Sequence, residues 1–209
     1  MKLETAAAEQ AKNRVAFFEK LGIRPSHLII PIQSHSSLVK TVHLRDASKA
    51  IPHADALTTP SKRLFLTVTV ADCFPVYFYN PKTNALGLAH CGWKGIIGGL
   101  ALKTLKALNS PVAETLVGIG PGIQKCHFEI KPDILPKFAN YHDAVIYRGK
   151  KIYVDLPKIL KQQLMSAGVL KNNIEISKSC TYHLKNKYFS ARRDKQATLK
   201  AMIAYIGRV

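Results

Sequence analysis

Apolar residues along the chain fall into short runs that predict strands, separated by a few longer stretches with helical spacing. Apolar positions recur on one helix face over residues 6–21, and Gly22 is placed to end that helix. Asp155 is placed to cap a second helix, over residues 157–167. Further helices are predicted over residues 95–108 and 132–138, and strands over residues 27–32, 38–44, 64–71, 76–79, 85–89, 115–119, 152–154, 174–176 and 199–206.

The order of these elements is rich in strands but lacks the regular alternation of strand and helix that is typical of a parallel α/β fold. It favours an α+β fold with mixed or antiparallel sheets. At 209 residues, of which 47% are hydrophobic, the chain has the size and apolar content of one globular domain. We expect that domain to span residues 1–209.

A β-hairpin is predicted across the turn at residues 80–84. If Asn80 pairs with Thr83, the register places Cys73 directly opposite His90. Opposed residues of antiparallel strands share a face, with Cβ atoms about 4.5–5.5 Å apart. A thiol and an imidazole in that arrangement can hold a metal or act as nucleophile and base. The alternative is a buried cysteine beside a histidine that is hydrogen-bonded at a strand end.

A metal requires a further ligand, and His35 is the candidate because it lies in a polar segment directly after a strand. His35, Cys73 and His90 would leave one coordination position open, which suits catalytic rather than structural zinc. Water at that position becomes a usable nucleophile near neutral pH. A soft thiolate favours zinc or copper over magnesium. The competing histidines are interpreted as ordinary surface or core residues: His43, His53, His127, His142 and His183.

The candidate catalytic residues are Cys73, His90 and Asp72. Asp72 directly precedes Cys73, and a carboxylate in that place can carry a proton. Two alternatives stay open for Asp72, which can also support the metal ligands or cap a turn.

Two segments offer groups for an anionic substrate. Residues 92–95, Gly-Trp-Lys-Gly, lead into a predicted helix, and a helix N-terminus with nearby glycines favours an anion. Lys94 and Gly95 are therefore candidate phosphate-binding residues, with a simple tight turn as the alternative. Arg192 and Arg193 offer planar guanidinium groups that suit phosphate or carboxylate, with a solvated charge run as the alternative.

The chain carries a formal net charge of +18. Such a positive field attracts phosphate, nucleotides or nucleic acid. The basic residues are spread along the chain, and the sequence has neither zinc-finger spacing nor an RNP-like aromatic run. We interpret the charge as a basic, solvated surface and do not expect a nucleic-acid partner.

The cysteines and the N-terminal segment bear on location. Four scattered cysteines are too few for a disulfide scaffold of this size, so thiols in a reducing compartment are expected. No apolar run approaches the roughly 20 residues of a membrane helix, and the N-terminal segment lacks the apolar core of a secretory signal. We therefore expect a cytoplasmic protein with no membrane partner.

Several segments together resemble one known family. Ala-Asp-Cys-Phe-Pro at residues 71–75 and Ala-His-Cys-Gly-Trp-Lys-Gly at residues 89–95 are specific features at this spacing. The chain resembles the YfiH-like family, also called the laccase-domain or multicopper polyphenol oxidoreductase family, from about Asn13 to about Arg193. The other segments that carry the resemblance are Gln33-Ser34-His35-Ser36, Asp55-Ala56-Leu57-Thr58, Ile119-Gly120-Pro121-Gly122-Ile123, Phe128-Glu129-Ile130, Asp155-Leu156, Cys180-Thr181 and Tyr188-Phe189-Ser190-Ala191-Arg192-Arg193.

The resemblance implies a sandwich of mixed β-sheets with helices packed outside. It implies a metal site at His35, Cys73 and His90, usually of zinc, although copper was proposed for an oxidase activity. It further implies phosphorolysis of adenosine, inosine, guanosine and methylthioadenosine, with adenosine deamination at the same site. The partners would be purine nucleosides and phosphate. Some bacterial members of the family are linked to editing of peptidoglycan precursors.

Three departures from the family pattern affect these expectations. Only a short segment precedes Asn13, so the chain is short at its N-terminus relative to the family, and phosphate anchoring could be altered. Leu199 and Lys200 stand where the family often has Gly-Arg, which could weaken anion binding. Cys91 stands where the family usually has alanine, and strand alternation predicts that it packs on the face opposite to His90.

Three other functions compete with the zinc-dependent phosphorylase. A copper-dependent polyphenol oxidase is disfavoured because reduction of oxygen by four electrons normally needs several coppers, and the sequence has no His-x-His pairs for them. A cysteine hydrolase would use Cys73 as nucleophile and His90 as base. A non-catalytic protein that binds nucleic acid or other anions would account for the positive charge.

Overall fold

Strands and helices follow one another along the chain in the computed structural model, which describes residues 2–195 and 200–209, without the side chains of residues 2–10 and 50. The helices are Lys2–Lys20 (α1), Trp93–Ile97 (α2), Leu100–Ala107 (α3), Leu156–Ser166 (α4) and Ala191–Asp194 (α5). The strands are Leu28–Pro31 (β1), Val39–Thr41 (β2), Ala50–Ile51 (β3), Ala56–Thr59 (β4), Phe65–Val70 (β5), Phe74–Tyr79 (β6), Leu86–Cys91 (β7), Leu116–Ile119 (β8), Glu129–Ile130 (β9), Val145–Arg148 (β10), Lys151–Val154 (β11), Ile174–Ile176 (β12) and Met202–Gly207 (β13).

A mixed sheet of six strands lies at the centre, in the order β12-β8-β6-β7-β4-β2. Its inner pairs are antiparallel, whereas β12 and β2 add to the edges as parallel strands. A second sheet has four strands in the order β13-β5-β1-β3, and a small antiparallel sheet has the order β10-β11-β9.

The four-stranded sheet packs on one face of the central sheet. Leu57 and Leu88 of the central sheet share a buried apolar cluster with Leu66 and Val68 of the other sheet. Because successive side chains of a strand point to opposite faces, the neighbours of Leu57 and Leu88 along each strand point away from this layer. The two sheets therefore form a sandwich.

Helices cover the opposite face of the central sheet. Val76 and Ala89 lie in one apolar cluster with Leu100 of α3 and Leu160 of α4. On the far side of the four-stranded sheet, the ring of Phe18 in α1 meets the ring of Tyr205 in β13 edge to face, with centroids 5.1 Å apart. The predicted α+β fold of mixed sheets with helices outside is thus confirmed.

Most predicted elements form close to their expected positions, with some differences in length. The helix after Asp155 is capped as predicted, because the Asp155 carboxylate accepts a hydrogen bond from the backbone N–H of Lys158 at 3.1 Å. The predicted helix over residues 95–108 is instead two helices, α2 and α3. Gly99 separates them with a left-handed backbone (φ of 72°), a conformation that costs glycine little.

Other differences concern short elements with weak periodicity. The strand expected at residues 38–44 ends at Thr41, and residues 132–144 form a longer 3₁₀ segment than expected. The last strand is Met202–Gly207, and Leu199 of the expected strand lies outside the described residues. The sequence pattern did not predict β3, β4, β9, β10 or α5, each of which is four residues or shorter.

The hairpin register differs from the prediction by two residues. Asn80 donates its backbone N–H to Ala85 at 3.0 Å instead of pairing with Thr83. The Asn80 side-chain oxygen accepts the backbone N–H groups of Lys82 and Thr83, both at 3.1 Å, and so closes a wider turn. As a result Pro75, not Cys73, is the residue opposite His90.

None of the helices within the described residues is both long and apolar enough to cross a membrane.

The sandwich predicts that two leucines of the central sheet contribute differently to the free energy of unfolding. Leu88 is fully buried between the sheets, whereas Leu116 is 44% exposed. We expect Leu88→Ala to lower the free energy of unfolding by about 2–5 kcal/mol, and Leu116→Ala by less than about 1 kcal/mol. Denaturant titration of both variants measures the difference. Equal losses would show that the two sheets do not pack through Leu88.

Candidate metal centre

Three side chains from separate parts of the chain converge at one end of the central sheet. The ligand atoms of His35, Cys73 and His90 all lie within 4.8 Å of one another. The two imidazole rings meet edge to face, with centroids 4.7 Å apart and an angle of 83° between planes. The structure therefore brings together all three of the residues predicted to form a metal site.

These residues are positioned by two loops and by the end of one strand. His35 follows β1 with a left-handed backbone (φ of 55°), and Asp72, also left-handed (φ of 84°), lies in the turn that leads through Cys73 into β6. His90 is the penultimate residue of β7 and is only 4% exposed. Positive φ is uncommon outside glycine, so the two loops adopt backbone shapes that the surrounding contacts must hold.

Cys73 and His90 approach each other although they are not directly opposed. A shift of two residues in register leaves the face of every side chain unchanged, because the side-chain period of a strand is two. Phe74 and Cys91 are the opposed pair at this end of the hairpin, and both pack into the apolar cluster under the helices. Cys73 and His90 therefore share the other face, and Cys91 is a packing residue as expected.

Asp55 holds the two histidines in place. Its carboxylate Oδ1 is 2.9 Å from Nδ1 of His90 and accepts the backbone N–H of His35 at 3.0 Å. Its Oδ2 accepts the backbone N–H and the hydroxyl of Ser36, both at 2.7 Å, and the backbone N–H of Ser34 at 3.2 Å. With Nδ1 engaged, His90 presents Nε2 as its free ligand atom.

The role of Asp55 was not predicted from the sequence. Asp55 lies just before β4, far from His90 along the chain, and β4 itself was not predicted. The pairing of β4 with β7 is what places Asp55 beside His90. The one available signal was the segment Asp55-Ala56-Leu57-Thr58, which contributed to the family resemblance without indicating a function for its first residue.

The charges at the centre suit a cation. Burial disfavours the charged form of Asp55, but hydrogen bonds from His90, Ser36 and Ser34 outweigh it and hold the pKa of this carboxyl well below its usual range. Partial burial, together with the neighbouring His90, lowers the pKa of His35 and so favours its neutral form. Burial and the charges of Asp72 and Asp55 raise the pKa of the Cys73 thiol to about 12.

These features fit a bound metal. Imidazoles and thiolates are donors that zinc and copper prefer, and a carboxylate on the second nitrogen of a ligating histidine is the usual support for such a site. A cation would favour the thiolate form of Cys73 and release its proton. His35, Cys73 and His90 are accordingly the residues that would hold the ion.

A cavity of about 520 Å³ opens beside the centre. His35 and Cys73 line it, together with the apolar side chains of Ile123, Phe128 and Leu156. Cations also reach its wall, namely Lys94, Arg192 and Lys195. The cavity thus combines donors for a metal, an apolar surface and positive charge.

Asp72 ties the loop before β6 to the segment that carries the arginines. Its carboxylate accepts the hydroxyls of Thr181 at 2.6 Å and Ser190 at 3.0 Å, and the backbone N–H of Arg192 at 2.7 Å. These bonds connect Asp72 to a distant segment of the chain, and they do not decide between the two alternatives considered for it, support of the metal ligands and capping of a turn. Its role as a proton carrier stays a prediction.

The two arginines differ in what they contact. Every guanidinium N–H of Arg193 donates to a neighbouring oxygen, so these contacts do not support the prediction that Arg193 binds phosphate. Arg192 instead lines the cavity, lies over the Phe128 ring with 5.6 Å between its guanidinium carbon and the ring centroid, and donates to the Glu129 carbonyl at 2.9 Å. The acceptors around Arg193 are the carbonyls of Thr181, Tyr182 and Tyr188 and both carboxylate oxygens of Asp194.

Lys94 and Gly95 also differ from one another. Lys94 is exposed and lines the cavity, with its ammonium 5.8 Å from the centroid of the Trp93 ring. Gly95 is buried, and a Cβ atom there would lie 3.3 Å from Leu100 and 3.4 Å from the Ser36 carbonyl. Gly95 thus allows α2 to pack closely on the loop that carries His35, and its predicted role in phosphate binding stays a prediction.

Gly92 leaves the space that the sulfur of Cys73 occupies. A Cβ atom at Gly92 would lie 2.9 Å from Sγ of Cys73 and 3.4 Å from Cδ2 of His35. Its φ of −75° is one that any residue can adopt, so the requirement for glycine here is one of space and not of backbone freedom.

Gly92→Ala is therefore expected to displace the sulfur of Cys73 without unfolding the protein. We expect metal affinity to fall by about 10–100-fold, as when a supporting residue of a metal site is lost, with little change in unfolding free energy. The matched control is Gly118→Ala, because a Cβ atom at Gly118 would lie 3.8 Å from Tyr77, an ordinary contact. Competition with a chromophoric chelator measures both affinities, and equal values for the two variants would contradict the predicted steric role.

Known relatives cover most of this chain. A protein of Staphylococcus saprophyticus named purine nucleoside phosphorylase is 32% identical over an alignment of 200 positions that covers 90% of this chain and 76% of the relative. One of Staphylococcus aureus with the same name is 31% identical over an alignment of 212 positions that covers 94% of this chain and 79% of the relative.

Solved structures share the fold. The hypothetical protein YfiH of Bacillus licheniformis matches with a TM-score of 0.89 and 28% identity, over 95% of this chain and 80% of that chain. YlmD from Geobacillus stearothermophilus matches with a TM-score of 0.87 and 28% identity, over 94% and 78% of the two chains. The model of the family described as multi-copper polyphenol oxidoreductase laccase matches residues 2–208. The chain therefore belongs to this laccase-like family, whose members include YfiH and proteins named purine nucleoside phosphorylase.

Proposed function

We propose that this protein is a zinc-dependent purine nucleoside phosphorylase that acts on adenosine, inosine, guanosine and methylthioadenosine and also deaminates adenosine. The observation that carries the proposal is the convergence of His35, Cys73 and His90 beside an open cavity of about 520 Å³. The names of the relatives supply the reaction class: phosphorolysis requires a nucleoside and phosphate.

Positive side chains on the cavity wall supply a place for phosphate. Lys94, Arg192 and Lys195 reach the cavity from two segments, 92–95 and 190–195, so an anion between them would be held from both sides. Asp72 accepts the backbone N–H of Arg192 and thereby fixes the start of α5, from which the Arg192 side chain extends. These residues would hold a phosphate oxygen towards C1′ of the ribose, where phosphorolysis takes place.

The apolar part of the cavity supplies a place for the purine. Ile123, Phe128 and Leu156 line it, and the guanidinium of Arg192 covers one side of the Phe128 ring. A flat heterocycle buries apolar area against such a surface and can stack on an aromatic ring. The purine would then lie between this surface and the donors of the metal centre.

A zinc ion held by His35, Cys73 and His90 would supply a Lewis acid and acidify water towards neutral pH. Asp55 fixes the orientation of His90 and stabilises positive charge at the centre. The apolar wall excludes bulk water from the purine. Deamination would need C6 of the purine held towards His35, Cys73 and His90, whereas phosphorolysis would need the same base held with its ribose towards the cations.

Copper is the alternative metal, because two imidazoles and one thiol also suit it. The description of the family, multi-copper polyphenol oxidoreductase laccase, records an oxidase activity that would need it. Elemental analysis of the purified protein separates the two metals. Oxygen consumption with a phenol, set beside nucleoside turnover, separates the two activities.

The geometry of Cys73, His90 and Asp55 also resembles a cysteine nucleophile with its base and orienting acid. A pKa of about 12 for the Cys73 thiol argues against that function, because reactive cysteines have lowered pKa values. His35 provides a further ligand atom that a hydrolase of this type does not require. A metal site accounts for all of these side chains, and a hydrolase accounts for only some of them.

The proposal predicts that Cys73→Ala abolishes nucleoside turnover and reduces bound metal, because the ion between His35, Cys73 and His90 is lost, while the fold remains intact. Loss of a ligand should lower turnover by more than the roughly 10–100-fold that loss of a supporting residue costs. Chromatography of adenosine incubated with and without phosphate measures the activity: adenine with ribose 1-phosphate reports phosphorolysis, and inosine reports deamination. Full activity of the variant would contradict the proposal.

Cys91→Ala is the matched control for this experiment. Cys91 is fully buried in the apolar cluster on the helix side of the central sheet, on the face opposite to His90. We expect Cys91→Ala to keep both metal and activity. A wild-type protein that contains metal but forms none of these products would contradict the proposed substrates and leave the metal site itself intact.

A further inference from the structure

A second cluster of soft ligand atoms lies apart from His35, Cys73 and His90. The ligand atoms of Cys126, His127 and Cys180 are all within 4.8 Å of one another. Nδ1 of His127 is 3.1 Å from Sγ of Cys126 and 3.6 Å from Sγ of Cys180. We propose that Cys126, His127 and Cys180 form a second binding site, for a soft divalent cation of the zinc class.

The spacing of the atoms fits such an ion. Zinc–sulfur bonds of about 2.3 Å and zinc–nitrogen bonds of about 2.0–2.1 Å in a tetrahedron place the nitrogen and sulfur atoms roughly 3.5 Å apart. The two observed distances from Nδ1 of His127 to the sulfurs, 3.1 and 3.6 Å, lie on either side of that value. A small movement of the Cys126 side chain would therefore complete the arrangement.

Neighbouring groups fix the ligands. The His127 ring stacks on the Tyr182 ring, with centroids 4.2 Å apart and 22° between planes. The backbone N–H of Gln124 donates to Sγ of Cys180 at 3.5 Å, a contact that would stabilise a coordinating thiolate. Cys180 is buried, whereas Cys126 is exposed, so the site is fixed on one side and open to solution on the other.

A fourth ligand and an entry path are available. The His183 ring is 5.8 Å from the His127 ring, centroid to centroid, and a water molecule or this imidazole would complete four ligands. A cavity of about 410 Å³, lined by Cys126, His127 and Tyr182, opens beside the cluster. Two thiolates neutralise a divalent ion, so the basic surroundings do not oppose its binding.

The ion would join two segments that support the main cavity. Gly122 and Cys180 already pair as an isolated β-bridge, and Thr181, next to Cys180, donates to Asp72. Residues 122–128 supply apolar wall to the cavity, and residues 180–192 lead to Arg192. A cation between Cys126 and Cys180 would cross-link these segments, which is the role of a structural metal.

The test removes a ligand of the first metal site, Cys73, and measures whether the protein still binds metal at the second cluster. In the reduced full-length Cys73→Ala protein, we expect about one zinc per chain to remain. Loading the same variant with cobalt should give thiolate-to-cobalt charge-transfer absorption with the intensity of two thiolates. Adding zinc should raise its thermal unfolding temperature.

Substitution at the second cluster should remove this binding. Cys126→Ala or His127→Ala, each combined with Cys73→Ala, is expected to lose the remaining zinc, the cobalt absorption and the thermal stabilisation. The matched control is His142→Ala in the same background, because His142 is an exposed histidine outside both clusters and should leave all three unchanged. Cys126 and His127 are chosen over the buried Cys180, whose replacement could disturb folding.

Three results would overturn the proposal. The first is the absence of zinc from reduced Cys73→Ala protein to which zinc has been added. The second is unchanged zinc binding after Cys126→Ala or His127→Ala. The third is a thiol titration showing that Cys126 and Cys180 are joined by a disulfide in protein purified under reducing conditions. None of these readouts depends on nucleoside turnover, so the result is independent of the proposed enzymatic function.

Discussion

The Asp55 carboxylate is the interaction on which the metal centre depends. It is fully buried, and a buried charge is costly unless hydrogen bonds satisfy it. Those bonds come from the His35 loop and from the His90 ring at the end of β7. The loop and the strand therefore cannot separate without leaving this charge unsatisfied. The Asp55 side chain thus holds His35 and His90, which are far apart in the sequence, in a fixed relative geometry.

Asp72 performs a comparable task for the other wall of the cavity. Its carboxylate gathers Thr181, Ser190 and the backbone of Arg192, and so connects the loop beside Cys73 to the segment that carries the cations. The strand alternation of β6 and β7 then decides which residues face the centre and which enter the core. Gly92 keeps the remaining space open for the Cys73 sulfur. The site thus depends on the buried carboxylates of Asp55 and Asp72, on the hairpin of β6 and β7, and on a glycine at position 92.

The sequence predicted much of the fold because its main elements have strong periodicity. The helix capped by Asp155 and the hairpin strands are long enough for their patterns to be clear. The short strands β3, β4 and β9 were missed because two to four residues carry too little pattern. The break at Gly99 was missed because a glycine inside an apolar pattern is compatible with a continuous helix. Tertiary packing determines these short strands and the helix break, and the local sequence pattern carries no information about it.

In the site, too, the roles that follow from local sequence pattern were predicted, and those that depend on contacts between distant segments were not. Cys73 and His90 were placed on one face from a register that was wrong by two residues, because an even shift preserves the face. His35 was chosen by its position after a strand and by the family resemblance. Asp55 was missed because its role depends on β4 pairing with β7. The sequence did not predict that every guanidinium N–H of Arg193 is already hydrogen-bonded. Its acceptors are backbone carbonyls and a neighbouring carboxylate, and counting charges in the sequence does not identify backbone acceptors.

The most direct test of the central claim is anomalous diffraction from crystals of the purified protein, measured on both sides of the zinc absorption edge. The account predicts an anomalous peak in contact with the ring nitrogens of His35 and His90 and the sulfur of Cys73, at about 2.0–2.3 Å from each. Zinc-loaded, catalytically active crystals with no peak between these three residues would contradict it.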